Sequence, residues 1–181
     1  FEAQNAFTRH ILDALPGRAA LREHLEALNG ADVRIRDLQW TGDRLFYMKR
    51  APGEQTYKLY MRDGLPAAER LLVDPDAFKE GDQPATIDYF RASPNGKRMA
   101  FGISLGGSEN ASLRVMDIAT RSPLGAPIPR ARWASPAWRF DSDVLFYTQQ
   151  RLAAPNAPPA ELLRGSRVRR WRRATPTRAR S

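Results

Sequence analysis

Two periodicities divide the chain. Over the first thirty residues the apolar side chains recur at helical spacing: Leu12 and Leu15 share a face, and Leu21, Leu25 and Leu28 follow at i, i+4 and i+7. Pro16-Gly17 separates the two runs, and Asn29-Gly30 supplies a helix stop. From Val33 the period drops to two. Ile35, Leu38 and Trp40 lead into a Thr41-Gly42-Asp43 turn, then Leu45-Phe46-Tyr47, a turn at Pro52-Gly53, and Tyr57-Lys58-Leu59-Tyr60-Met61. Arg70-Leu71-Leu72-Val73 is a fourth strand, closed by Asp74-Pro75.

The same order of events then returns. Ile87 to Ala92 runs into the turn Ser93-Pro94-Asn95-Gly96, Met99 to Ile103 follows, and a glycine-rich turn over 106–110 leads to Leu113-Arg114-Val115-Met116-Asp117. Gly42-Asp43-Arg44-Leu45-Phe46-Tyr47 aligns with Gly96-Lys97-Arg98-Met99-Ala100-Phe101. Tyr47 to Leu59 and Phe101 to Leu113 are both steps of 12 residues. A third copy begins at Ala137-Trp138 and reaches Val144-Leu145-Phe146-Tyr147. The offsets are 54 residues from Tyr47 to Phe101 and 46 from Phe101 to Tyr147. A period of this size with four short strands per unit marks the blades of a β-propeller. A β-sandwich of hairpins also alternates strands and turns, but the helical lead-in and the repeated internal spacing favour blades.

Once these motifs are set out in order, they resemble a known family. Gln4-Asn5-Ala6, Leu15-Pro16-Gly17-Arg18 and Trp40 through Tyr47 resemble the amino-terminal region of prolyl oligopeptidases. Leu71-Leu72-Val73-Asp74-Pro75 is similar to the exit of that family's first blade, and Ser93 through Phe101 to its next hairpin. Ser104, Gly107-Ser108-Glu109, Leu113-Arg114-Val115, Asp117, Trp138 and Val144 through Thr148 continue the match. The resemblance implies a serine-type endopeptidase of two parts. One is an α/β-hydrolase catalytic domain; the other is a seven-bladed propeller that covers its active site and limits access to short peptides. The expected fold is therefore mainly β: a partial propeller of about two and a half of seven four-stranded blades, preceded by short α-helices. Residues 1–30 form the helical lead-in and 31–163 the blades, which start near 33, 86 and 133. Chain that the family carries before Gln4-Asn5, the remaining blades and the hydrolase domain are expected to be missing from this sequence.

Composition changes this picture little. At 181 residues and 42% hydrophobic content the chain can bury a core. The net charge of +9 invites a nucleic-acid reading, yet eight arginines fall within 164–181, leaving 21 basic against 20 acidic residues elsewhere. The charge describes a tail rather than a binding face. No stretch approaches the roughly 20 apolar residues that span a bilayer, so no membrane partner is expected. Phe1-Glu2-Ala3-Gln4 does not open a signal peptide. The absence of cysteine excludes thiol catalysis and zinc–thiolate sites and leaves the compartment open between cytoplasm and periplasm.

One motif carries apparent chemistry. Gly102-Ile103-Ser104-Leu105-Gly106-Gly107 fits the G-x-S-x-G nucleophile elbow, whose strained strand-to-helix turn exposes a serine beside oxyanion donors. Here a turn and another strand follow Ser104, not a helix. The only histidines, His10 and His24, precede it, whereas the hydrolase order places histidine last. A serine without a base is not activated. Ser104 between Gly102 and Gly106 is therefore read as a chance match, with no catalytic triad and an inactive chain expected. His10 and His24 lie on separate helical segments without metal-ligand spacing, and Asp141 and Asp143 bracket a turn that offers too few oxygens for calcium. No cofactor or metal is expected. Trp40, Trp133 and Trp138 are read as blade core or inter-blade packing.

The tail, 164–181, is read as disordered or out of frame. Arg164-Gly165-Ser166-Arg167-Val168 still resembles the family, but Arg169-Arg170-Trp171-Arg172-Arg173 is saturated in arginine. That composition fits a GC-rich gene whose frame shifts near Val168. An arginine-rich arm that neutralises nucleic-acid phosphates is the other reading, and the near-neutral body argues against it. The expected function is that of a propeller fragment of a prolyl-oligopeptidase-type serine endopeptidase. Its partners would be the hydrolase domain and short peptides. A free-standing propeller-like module that binds proteins or peptides is the alternative.

Overall fold

The computed structural model describes residues 1–152, 154, 158, 161 and 165–172, except the side chains of Asn29 and Gly30. These residues divide into two compact units, one of 1–34 with 50–55 and one of 35–49 with the rest from 56 onward. No helix among them is long and apolar enough to cross a membrane.

The first unit holds α1 (Glu2–Asp13) and α2 (Arg18–Gly30), in agreement with the helical spacing. Gly17, at φ 81°, makes the break between them, a left-handed conformation that glycine adopts without a Cβ penalty. Arg18 pairs with Asp13 at 3.3 Å across that break, and Arg22 pairs with Glu26 one turn on at 2.7 Å. The apolar face stays open: α1 buries no side chain, and Leu21, Leu25 and Leu28 of α2 are exposed.

The second unit is three antiparallel sheets in succession. β1 (Arg34–Thr41), β2 (Arg44–Arg50), β3 (Lys58–Asp63) and β4 (Arg70–Val73) form the first, in sequence order. β5 (Ala85–Ala92), β6 (Arg98–Leu105) and β7 (Ser112–Asp117) form the second. The third has the order β10-β9-β8, from β8 (Ala137–Trp138), β9 (Val144–Gln149) and β10 (Arg167–Arg172).

Strand alternation distributes the core. Phe46 and Met48 of β2 stand opposite Met61 and Leu59 of β3, and these four pack with Met99, Phe101 and Ile103 of β6. The intervening Ala100 belongs to a second cluster with Leu113, Val115, Leu145 and Tyr147. β6 is therefore buried on both faces, one against the first sheet and one against the third. That is how stacked blades cover one another.

The second sheet departs from the four-strand plan. Beside β7 the chain over 122–128 pairs only at intervals. Asp117 donates its N–H to Ser122 O at 2.9 Å, Leu124 to Val115 O at 2.8 Å, and Leu113 and Ile128 exchange bonds of 2.8 Å. Pro123 and Pro127 lack the N–H that a continuous ladder needs.

Three expectations are corrected. Trp40 and Trp133, read as packing residues, are 55% and 62% exposed. β1 carries apolar residues as a buried strand would, yet Ile35, Leu38 and Trp40 are all exposed, and Asp37, at φ 56°, interrupts the strand's regular backbone. Trp133 lies in a turn ahead of β8, at φ 50°. Within the segment read as disordered or out of frame, Arg167–Arg172 is ordered as β10, antiparallel to β9 with Trp171 opposite Leu145. Trp171 meets Trp138 edge-on, with centroids 5.9 Å apart, and this aromatic pair anchors the strand despite its arginines. Residues 164 and 173–181 lie outside the described residues.

Candidate functional site

Ser104 is the one sequence-derived catalytic candidate, and it sits on β6, one residue before the strand ends. Leu105 to Ser108 then form a turn, with Gly106 and Gly107 at positive φ, and β7 follows. The serine is thus on a hairpin strand, with no helix after it. It is only 2% exposed. Its Oγ donates to Asp88 Oδ1 at 2.8 Å, and Thr86 Oγ1 lies 3.0 Å away. Thr86 also donates to the same carboxylate oxygen at 3.2 Å.

Asp88 and Thr86 were not singled out from the sequence. Asp88 reaches Ser104 because β5 bulges there: the β5–β6 register shifts between Ile87 and Tyr89 and leaves Asp88 without a ladder partner. Burial raises its carboxyl above the usual range, opposed by the bonds from Ser104 and Thr86. A two-residue alternation gives no sign of such a shift, since only the partner strand reveals it.

Each remaining residue of the glycine–serine pattern has a local reason. A Cβ on Gly102 would lie 2.3 Å from the Tyr89 ring, so the ring occupies the space a side chain would take. Tyr89 is held there by its hydroxyl, which donates to Ala131 O at 2.7 Å. Burial pushes its phenol well above the ordinary value. Gly106, at φ 57°, is a turn residue. The arrangement gives a buried hydroxyl whose hydrogen-bond partners are a carboxylate and a second hydroxyl, with no imidazole among them.

The other candidates are separated. His10 lies on α1 and His24 on α2, both exposed. Asp141 accepts from the Asp143 N–H at 3.1 Å and pairs with Arg139, while Asp143 pairs with Arg98 at 3.1 Å. Both carboxylates are used in the turn and the seam beside it. No group of three or more His, Asp or Glu among the described residues could hold a metal ion. Trp138 donates its indole N–H to Arg91 O at 3.0 Å, a bond from the third sheet to the second.

Known proteins share this arrangement of sheets. Residues 1–157 match the family described as prolyl oligopeptidase, N-terminal β-propeller domain. Among solved structures, one from a structural and mechanistic analysis of two prolyl endopeptidases superposes with a TM-score of 0.83 at 24% identity, over 96% of this chain and 25% of that one. Prolyl oligopeptidase B from Galerina marginata, bound to a 35mer hydrolysis and macrocyclization substrate, gives 0.78 at 15% identity, over 96% of this chain and 27% of that one. At these identities the likeness shows the fold, and the chain spans about a quarter of the length of either protein. The helical lead-in, the stacked sheets and the family match over most of the length agree, and the chain belongs to the prolyl oligopeptidase N-terminal β-propeller family.

Proposed function

We propose that this chain forms the opening blades of a propeller that covers the active site of a prolyl-oligopeptidase-type serine endopeptidase, shielding it and admitting only short peptides. In this reading its partners are the α/β-hydrolase domain that such enzymes carry and the peptides that pass. Ser104 has no part in bond cleavage. The observation that carries the reading is the family match over residues 1–157.

A chimera tests it. Residues 1–157 would replace the matching segment of a full-length prolyl oligopeptidase, with folding checked by circular dichroism. The chimera should cleave a short proline-containing peptide and leave a long unfolded protein intact. Equal cleavage of both substrates, or a folded chimera that cleaves neither, contradicts the proposal.

A further inference from the structure

A cavity of about 250 Å3 opens at the seam between the first and second sheets. Val73 at the end of β4, Phe101 on β6 and Met116 on β7 give it apolar walls, with Phe78 and Pro123 at its sides. Two cations reach it: Arg114 on β7 and Arg121 in the turn beyond. Strand alternation explains the first. Leu113 and Val115 face the third sheet, so Arg114 and Met116 face the first.

Neither arginine has a counter-ion among the described residues. The Arg114 guanidinium lies over the Phe78 ring, 4.6 Å from its centroid, and its Nε is out of reach of solvent without an acceptor. Asp74, the carboxylate in the lining, is already engaged: it accepts from the Asp76 N–H at 3.0 Å and pairs with Lys58 at 3.2 Å. Glu80 acts on Arg114 only through space, and burial lowers the guanidinium's hold on its proton. A partly desolvated cation with no carboxylate bonded to it is costly to keep, and apolar walls give water few bonds in return.

We infer that this cavity binds a small organic acid, an apolar body of about one ring whose single carboxylate pairs with Arg114 and Arg121. The guanidinium fork matches a carboxylate in geometry, and the apolar walls suit the body. The volume lies just under the roughly 300–1,000 Å3 typical of drug-sized sites, which limits the ligand to a small one. A phosphate dianion would need further donors that the apolar walls do not supply.

Calorimetric titration of the full chain with 3-phenylpropanoate and with 3-phenylpropanamide tests this. The acid should bind at least tenfold more tightly than the amide. In the Arg114→Met, Arg121→Met double variant that preference should vanish while the weak amide affinity remains. Ala77→Trp, at an exposed position of the lining, should block both ligands without touching the core. Equal affinities for acid and amide, no binding of either, or a preference that survives in the folded double variant would overturn the inference.

Discussion

Arg44 and Arg98 make the same bond one repeat apart. Arg44 Nη1 donates to Gly96 O at 2.6 Å, and Arg98 Nη1 donates to Ser142 O. The two arginines occupy equivalent places in the repeat, as do the residues they reach, so each sheet grips the first turn of the next. The equivalent turn positions of the three repeats all lie at positive φ: Gly42, Gly96 and Ser142 have φ of 56°, 63° and 67°. In the third repeat Val144 stands where the arginine would be, and the series ends there.

The two bonds are expected to differ in strength. Both arginines also pair with a carboxylate, Arg98 with Asp143 at 3.1 Å and Arg44 with Asp63 at 2.8 Å, but the Arg98 side chain is 14% exposed and that of Arg44 34%. A hydrogen bond from a charged donor contributes about 1.5–3 kcal/mol when shielded from water. Arg98→Met should therefore cost about 2 kcal/mol of unfolding free energy and Arg44→Met about 1 kcal/mol. Urea denaturation measures both, and a larger loss in Arg44→Met would contradict the assignment.

Gly102 separates packing from chemistry. With a Cβ 2.3 Å from the Tyr89 ring, and that ring tied to Ala131, Gly102→Ala forces the ring out of place. The cost should reach about 3 kcal/mol, the upper end for overpacking. At Gly107 a Cβ meets nothing within 4 Å, and only its φ of 70° opposes substitution. Gly107→Ala should cost about 1 kcal/mol. Thermal melts of both variants check the order.

Glu69 gives the fold an acid-sensitive contact. It pairs with Lys49, accepts from the Tyr47 hydroxyl at 2.7 Å and lies 3.8 Å from Arg62. The Lys49 bond, then the Tyr47 bond, hold its carboxyl below the usual glutamate range. A carboxyl lowered in the folded state stabilises it fully above the unfolded value, and this contribution fades as pH falls through the folded value. Glu69→Gln should thus melt at a lower temperature than the parent at neutral pH, by about 1 kcal/mol of stability. The gap should close in strong acid. A gap that widens on acidification would refute the ionic role.

Turns and strand order were legible because their chemistry is local. β4 matches the strand read from Arg70 to Val73, since Asp74-Pro75 marks its end. Ser93-Pro94-Asn95-Gly96 folds as written: Ser93 Oγ donates to Asn95 at 2.8 Å and accepts from the Arg98 N–H at 2.9 Å. What required a partner strand was not legible. Alternation in Leu38 and Trp40 says that they share a side, not whether another element covers it. The bulge that brings Asp88 to Ser104 depends on register with β6. In β10, four arginines masked a strand that Trp171 anchors against Trp138. Arg114 reads as an outward residue of an amphipathic strand, but its outward side is a seam between sheets.

The most direct test concerns Ser104. In this account its hydroxyl is a buried strand contact to Asp88 and Thr86, so Ser104→Ala should cost about 1 kcal/mol of stability and change no peptidase activity. The measurement is hydrolysis of a proline-containing chromogenic peptide by the purified chain and by Ser104→Ala, each checked for folding by a thermal melt. The account predicts no release of chromophore above the buffer blank from either protein. Hydrolysis by the parent chain that disappears in a folded Ser104→Ala variant would contradict it.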